Sequence, residues 1–208
     1  MSVPQVVILA AGSGLRLYPF TAILPKFMAP VAGKPMGLRI IENCARASPK
    51  SILICVNEKH ESYLRSIFDS CYDSVLSYNP IPIYFSSTKG IGSAGELWNA
   101  AALLDDEFIV HYGDIITDFD MNDLASAYRG CDIMLVTSKK VKLSCGLIKS
   151  DQDSIHVLEK PLLSEVADHS VFIGILITNR KILKFCKPGL DLMHDVIPNA
   201  IRAGLKVE

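Results

Sequence analysis

The stretch that decides the fold is VVILAAGSGLRLYPFT, residues 6–21. Residues 6–9 form an apolar run of strand length, and the five small residues after it include Gly12 and Gly14. Glycines directly after a buried strand let backbone N–H groups approach a phosphate, because no Cβ lies in the way. The stretch therefore predicts a buried first strand that leads into a phosphate-binding loop.

Two familiar glycine-loop motifs do not fit this stretch. A dinucleotide-binding fingerprint requires a third glycine at the position of Leu17. A P-loop requires Gly-Lys followed by Ser or Thr, but Gly33-Lys34 is followed by Pro35, which has no hydroxyl for a metal ion. We therefore expect a phosphate loop of another kind.

Outward from this loop, apolar runs alternate with helical patterns, which predicts βαβ units. The expected strands are 6–9, 51–56, 81–85, 107–112 and 132–137, and the expected helices are 36–47, 58–68, 94–104 and 121–128. Strand-like runs at 145–150, 154–160 and 170–177 predict an antiparallel or mixed extension, followed by helices at 180–185 and 190–203. The prediction is an α/β fold of one domain: a three-layer, Rossmann-like, mainly parallel mixed sheet with helices on both faces.

Composition excludes several classes of protein. Twenty-one basic and 22 acidic residues give a net charge of −1, so charge alone favours neither nucleic acid nor an anionic membrane. Half of the residues are apolar, which argues against disorder. The longest apolar run, 171–177, is far shorter than the roughly 20 residues of a membrane span. We expect no signal peptide, since no basic residue precedes the first strand.

The six cysteines and five histidines are dispersed. They form no C-x-x-C, H-x-x-x-H or H-E-x-x-H motif, so a zinc site and a metallohydrolase are disfavoured. Cys55 and Cys131 lie in apolar strand-like runs and are expected to be small buried hydrophobes. Reduced thiols indicate a cytoplasmic protein.

Residues 9–35 resemble the signature of the sugar-phosphate nucleotidyltransferases, the enzymes that make NDP-sugars. The family pattern is roughly L-A-G/A-G-x-G-T-R-L/M-x-P-L-T followed by P-K-x-M/L-x-P-V-x-G-x-P. Leu15 stands in place of the usual threonine and Phe20 in place of leucine. The resemblance implies the nucleotide-diphospho-sugar transferase fold, with a nucleotide-binding half at 1–137 and a sugar-phosphate-binding half at 138–208.

The resemblance also implies a reaction and its charged residues. A sugar-1-phosphate would attack the α-phosphorus of an NTP and expel pyrophosphate, with catalysis mainly by positioning and charge neutralisation. Arg16 would offer its planar fork to the pyrophosphate, and Lys26 would place a point charge near the α-phosphate. Gly113-Asp114 resembles the family's G-D, in which the aspartate binds Mg²⁺.

Other matches imply binding residues. The segment 92–97 (GSAGEL) resembles the family's G-T-A-G-A-L beside the nucleotide base, although Ser93 fits equally well as an ordinary helix N-cap. Glu159-Lys160-Pro161 resembles the E-K-P that binds the sugar phosphate, and Gly146 aligns with a glycine of Y-G-V-V. The implied nucleotide-binding residues are Leu9, Ala10, Ala11, Gly12, Gly14, Gly92 and Ser93, and the implied sugar-phosphate-binding residues are Gly146, Glu159 and Lys160.

Two departures from the family pattern bear on function. Phe172 replaces a sugar-binding asparagine. The W-x-D-I-G-T segment, whose aspartate is the second Mg²⁺ ligand, has no counterpart in these 208 residues, and Asp195 comes too early in the order. We therefore expect a Mg²⁺-dependent nucleotidyltransferase, with a non-catalytic or regulatory nucleotide-binding homologue as the alternative.

The expected partners are an NTP and a sugar-1-phosphate, without nucleic acid or membrane. Relatives are often dimers or tetramers, so a homo-oligomer is compatible with the resemblance. The G-S-A-G segment favours mannose-, glucose- or heptose-1-phosphate as the sugar substrate, with GTP, UTP or dTTP.

Overall fold

The structure is a computed structural model that describes residues 3–76, 80–144, 147–151, 154–158, 160–167 and 169–208. In this part of the chain, strands and helices alternate as the sequence predicts. The strands are β1 (Gln5–Leu9), β2 (Pro30–Val31), β3 (Lys34–Pro35), β4 (Ile52–Asn57), β5 (Ile83–Thr88), β6 (Glu107–Tyr112), β7 (Ile133–Ser138), β8 (Leu147–Asp151), β9 (Ser154–Leu158) and β10 (Val171–Asn179). The α-helices are α1 (Phe20–Ile23), α2 (Met36–Arg46), α3 (Glu61–Leu76), α4 (Ser93–Ala100), α5 (Met121–Ala127) and α6 (Ile197–Arg202).

A mixed, mainly parallel sheet forms the centre of the fold. Its strand order is β5-β4-β1-β6-β10-β7 among the described residues. Strand β1 pairs in parallel with β4 and β6, β4 pairs in parallel with β5, and β10 runs antiparallel to β6. Strand β1 is buried along its whole length, as its continuous apolar sequence predicts for a strand covered on both faces. The predicted α/β class is confirmed.

The register of the sheet places three strand ends side by side. Leu9, the last residue of β1, is aligned with Cys55 of β4 and with Tyr112, the last residue of β6. The loop after β1 and the Gly113-Asp114 pair after β6 therefore leave the same edge of the sheet. In parallel α/β sheets this edge, at the carboxyl ends of the strands, is where ligands bind.

Several helix boundaries differ from the sequence prediction, and the predicted helix 180–185 is a 3₁₀ turn, Arg180–Lys184. Helix α3 continues to Leu76 instead of ending at residue 68, because neither glycine nor proline interrupts the chain between residues 61 and 79. The predicted helix 190–203 begins only at Leu192, as a π-helical turn (Leu192–Val196) that continues into α6. Leu190 is not helical because its carbonyl accepts the amide of Ala94 from another element.

The chain divides into two compact units. The main unit comprises Met1–Met134 and Gly174–Glu208, and the small unit comprises Leu135–Ile173. Within the small unit, β8 and β9 form an antiparallel hairpin, and an isolated antiparallel bridge joins Lys142 to Leu162. The prediction of a nucleotide-binding half and a sugar-phosphate-binding half remains a prediction.

The described cysteines fit the expectation of buried thiols. Cys55 lies in β4 and Cys131 lies just before β7, and neither forms a disulfide. The free, buried cysteines are Cys44, Cys55, Cys131 and Cys186. In the described part of the chain, every helix is too short or too polar to cross a membrane.

Candidate active site

The position of Asp114 is determined by the close approach of the Gly113 backbone to the Leu9 backbone. The amide of Gly113 donates to the carbonyl of Leu9 at 2.8 Å, which joins the ends of β6 and β1. A Cβ at position 113 would lie 2.6 Å from that carbonyl oxygen, so only glycine fits without a shift of the backbone. The next residue, Asp114, then places its carboxylate at the edge of the sheet.

The glycine loop after β1 is packed against Lys26 through Gly14. Gly14 has a φ of +62°, and a Cβ there would lie 2.8 Å from Thr21 Cγ2 and 3.1 Å from Lys26 Cβ. The Thr21 hydroxyl donates to the Gly14 carbonyl at 3.1 Å and so closes the loop. A 3₁₀ turn, Leu15–Leu17, follows directly and presents Arg16 on the surface.

Burial of the neighbouring Phe27 fixes the backbone at Lys26, and an ion pair with Asp114 orients the Lys26 side chain. It begins the 3₁₀ turn Lys26–Met28, in which Phe27 is 1% exposed and packs into the core. The ammonium Nζ of Lys26 lies 2.5 Å from Asp114 Oδ2. Two residues that are 88 positions apart in the sequence are thus in direct contact at the sheet edge.

One cavity of about 960 Å³ gathers most of the residues that the sequence singled out. Its lining includes the predicted residues Leu9, Ala10, Gly12, Gly14, Arg16, Lys26, Gly92, Ser93 and Asp114. Ala11 differs, because it is fully buried and is not part of the lining. The cavity thus combines the glycine loop, two cations and two carboxyl groups, and the cations suit a ligand with several phosphates.

Glu96 is a cavity-lining residue that the sequence reasoning did not single out. It lies on α4, is 4% exposed, and accepts the amide of Ala11 on Oε2 at 3.2 Å. Burial raises the pKa of Glu96 to about 8, although the backbone amides of Ala11 and Ala10 counteract this rise in part. The signal that could have found it is a mismatch: the quoted family segment has alanine where this chain has Glu96.

Ser93 contacts a segment close to the C-terminal helix. Its hydroxyl donates to Asp191 Oδ2 at 2.9 Å and accepts the amide of Leu192 at 2.8 Å. The interpretation of Ser93 as N-cap is wrong, because Gly92 occupies that position and Ser93 is the first helical residue. Its role as a nucleotide-binding residue remains a prediction.

Tyr112 is a second cavity residue that the motifs missed. It ends β6 and is half-buried in the cavity wall. Burial, together with the nearby carboxylate of Asp191, raises the pKa of Tyr112 to about 12. The phenol is therefore neutral over the whole physiological range.

The predicted sugar-phosphate residues lie in the small unit. Lys160 is exposed, follows β9 and has a φ of +47°. Gly146 and Glu159 lie outside the described residues. Asp195 does not line the cavity, since its carboxylate accepts the amide of Asp191 and contacts His194.

The cavity fits a magnesium ion that takes most of its ligands from phosphate and water. Asp114 presents its carboxylate there, and its present partner is a cation, Lys26. Glu96 is a poor ligand, because its buried carboxyl is mainly protonated at neutral pH. The described residues contain no group of three or more His, Cys, Asp or Glu side chains that could hold a metal alone. One carboxylate with substrate phosphates is a common arrangement for Mg²⁺.

Comparison with known families decides what this chain is. The family model "Nucleotidyl transferase" matches residues 5–207, nearly the whole chain. The chain belongs to the nucleotidyl transferase family. The family membership that residues 9–35 predict is thereby confirmed.

Curated relatives of the chain carry several names. The bifunctional protein GlmU of Methanococcus maripaludis is 26% identical over 196 residues, covering 93% of this chain and 43% of the relative. A mannose-1-phosphate guanyltransferase of Yarrowia lipolytica is 30% identical over 187 residues, covering 85% of this chain and 50% of the relative. The chain thus spans about half, or less, of the length of these relatives.

A solved structure shares the fold of this chain. The inositol-1-phosphate CTP transferase of T. maritima superposes with a TM-score of 0.73 over 100% of this chain and 85% of its own, at 17% identity. At this identity the similarity shows the fold, and it confirms the predicted Rossmann-like arrangement.

Proposed function

We propose that this chain transfers a nucleoside monophosphate from an NTP to a sugar-1-phosphate, giving an NDP-sugar and pyrophosphate. The observation that carries the proposal is the convergence of Arg16, Lys26 and Asp114 on one cavity beside the glycine loop. Family membership and the names of the relatives support the reaction class.

The cations of the cavity fit this reaction. An oxygen of the sugar phosphate attacks the α-phosphorus, and the bond from this phosphorus to the bridging oxygen breaks, so that pyrophosphate leaves with the electron pair. Arg16, on the exposed turn after the glycine loop, offers paired N–H donors to the leaving pyrophosphate. Lys26 exchanges Asp114 for the α-phosphate and neutralises the negative charge that builds up there.

Mg²⁺ is the cofactor that this reaction would require. Asp114 would hold it, together with oxygens of the triphosphate. When bound, the ion supplies positive charge that neutralises the triphosphate and orients it.

The sugar phosphate is assigned to the small unit on the basis of sequence. Lys160 would pair with the phosphate, Glu159 would accept hydrogen bonds from sugar hydroxyls, and the backbone at Gly146 would lie against the sugar ring. Of these three residues, Lys160 lies among the described residues and is exposed.

Pyrophosphate release tests the proposed function directly. The purified chain with Mg²⁺ is assayed against a matrix of NTPs and hexose- and heptose-1-phosphates. We expect release with at least one pair, and loss of that release in Asp114→Asn but not in the control Asp118→Asn, an exposed aspartate four residues further on. Absence of release with every pair contradicts the proposal. Nucleotide binding without any release would identify a non-catalytic homologue.

A further inference from the structure

Glu96 is a buried acid in a cavity that otherwise suits anions. It lies on α4 and is 4% exposed, yet it belongs to the same cavity lining as Arg16 and Lys26. A carboxylate at this place would repel the phosphates that the two cations attract. The proposed reaction assigns no role to this residue.

The contact between Glu96 and Ala11 fixes the start of the glycine loop. Ala10 still belongs to the sheet, since its amide donates to the carbonyl of Cys55 at 2.9 Å. Ala11 is fully buried, and its amide donates to Glu96 Oε2 at 3.2 Å. A buried amide without an acceptor is costly, so Glu96 determines the path of the chain from β1 into the loop.

The protonation state of Glu96 is compatible with a bound nucleotide. The pKa of this carboxyl is raised to about 8 by burial, so at neutral pH the group is mainly a neutral acid that still accepts the amide. Such an acid also has an O–H to donate. The floor of the cavity then carries no negative charge from this residue.

We propose that Glu96 is a positioning residue: as a neutral carboxylic acid it holds the amide of Ala11, and with it the glycine loop, in the form that receives the phosphates of a nucleotide. Ionisation adds a negative charge beneath the phosphates and weakens binding. The proposal rests on the proposed function in one respect, that the ligand is a nucleotide.

Two other titratable groups near Glu96 stay neutral in this pH window. On β4, burial holds the pKa of the Cys55 thiol well above its usual value, and on β6 the pKa of Tyr112 is raised to about 12. Among the described residues, the charged groups that share the cavity lining with Glu96 are Arg16 and the ion pair of Lys26 with Asp114, and Asp191 lies near Tyr112.

The direction of the pH effect follows from a pKa of about 8. One unit above its pKa an acid is about one-tenth protonated, so we expect the affinity for a nucleotide to fall about tenfold between pH 7 and pH 9. Glu96→Gln keeps an oxygen for the Ala11 amide and cannot ionise. It should bind as tightly as the wild type at pH 7 and lose no affinity by pH 9.

Calorimetric titration with GTP, UTP and inorganic pyrophosphate at both pH values measures this difference. Titration of the phosphates themselves is common to all variants and cancels in the comparison. Glu42→Gln, which breaks an ion pair with Lys34 outside the cavity, is the matched control and should retain the wild-type pH dependence. Equal pH dependence in wild type and Glu96→Gln overturns the proposal.

The Glu96→Ala variant distinguishes a residue that positions the glycine loop from one that competes with the ligand for the loop amide. Glu96→Ala leaves the Ala11 amide without its acceptor and should bind each probe about tenfold more weakly than the wild type does at pH 7, with no further loss at pH 9 because this variant has no carboxyl to ionise. Tighter binding than that of the wild type at pH 7 would show that Glu96 competes with the ligand for the loop amide, which overturns the proposal.

NMR of carboxyl-labelled glutamate tests Glu96 without a ligand. The resonance missing from Glu96→Gln should titrate near pH 8, and the amide resonance of Ala11 should move with the same midpoint. A midpoint near 4.5, the usual value, contradicts the proposal for Glu96. Failure of all probes to bind contradicts the proposed function instead, and the inference about Glu96 is then decided by its own titration.

Discussion

The ion pair between Lys26 and Asp114 joins the two residues on which the proposed chemistry depends most. At 2.5 Å the ammonium is held in place by the carboxylate while Phe27 anchors the backbone beside it. Lys26 is therefore placed before any ligand arrives. In the proposed reaction the ammonium has only to exchange one anionic partner, the carboxylate of Asp114, for another, the α-phosphate.

Replacing Lys26 tests whether its charge contributes to the proposed reaction. We expect Lys26→Met to lower the kcat for pyrophosphate release by about 10²–10³-fold, the usual effect of removing one pre-placed charge or donor. Lys34→Met is the matched control, because Lys34 pairs with Glu42 away from the cavity. Steady-state kinetics measure both, and a kcat within about threefold of wild type for Lys26→Met would contradict the assigned role.

Motifs predicted the cations and the carboxylate of this site but not its neutral acid. Arg16, Lys26 and Asp114 match a pattern and lie together in the structure. Glu96 departs from the same pattern, and its burial and its contact with Ala11 depend on how α4 packs beside the loop that follows β1. Sequence periodicity does not specify such packing, so the mismatch with the family alanine could mark the position but not the contact.

At the scale of elements, the segment before the last helix is attached to the start of α4. The carbonyl of Leu190 accepts the amide of Ala94, and Asp191 accepts the Ser93 hydroxyl. Asp191 also caps the π-helical turn by accepting the amides of Met193 and His194. One carboxylate thus supports a helix end and an inter-element contact.

Because Asp191 makes both contacts, we expect its removal to lower the free energy of unfolding more than the removal of Asp120, which caps one helix. Asp191→Ala should lower the free energy of unfolding by about 2 kcal/mol, because both the cap and the bond to Ser93 are lost. Asp120→Ala should cost about 1 kcal/mol, because Asp120 caps only α5 through the amide of Asn122. Urea denaturation measures both values, and equal losses would contradict the coupling.

The pattern of elements was predictable, whereas their ends were less so. Strand β6 begins and ends where its apolar run predicts, at Glu107 and Tyr112. The start of the last helix was predictable only in part, because Asp191 is a typical N-cap residue, whereas Leu190 fits a helical pattern but accepts the amide of Ala94. The second contact joins residues 96 positions apart, and a local pattern contains no information about it.

At the scale of the whole molecule, Asp132 joins distant parts of the main unit. Its carboxylate accepts Lys181 Nζ at 2.7 Å, Asn179 Nδ2 at 3.2 Å and the Lys206 amide at 2.9 Å. These partners, the side chain of Lys181 first, lower the pKa of Asp132 to about 2. The carboxylate form is thus favoured by the folded state.

The lowered pKa predicts how stability depends on pH. A carboxyl whose pKa is lower in the folded state stabilises the fold above its unfolded pKa, here 3.8, and loses this contribution as pH falls towards 2. Asp132→Asn should therefore be less stable than wild type at pH 7, with a gap that narrows below about pH 4. Urea denaturation across this range measures the gap, with Asp118→Asn as control. A gap independent of pH would show that the charge of Asp132 is unimportant.

The contact at Gly14 couples movement of the glycine loop to movement of Lys26. The absence of a side chain at this position lets the loop rest directly on Thr21 and on the stem of Lys26. Two segments in such contact cannot shift independently, because a close-packed interface transmits displacement. We therefore expect any movement of the loop at Gly14 to be shared by Lys26, the ion-pair partner of Asp114.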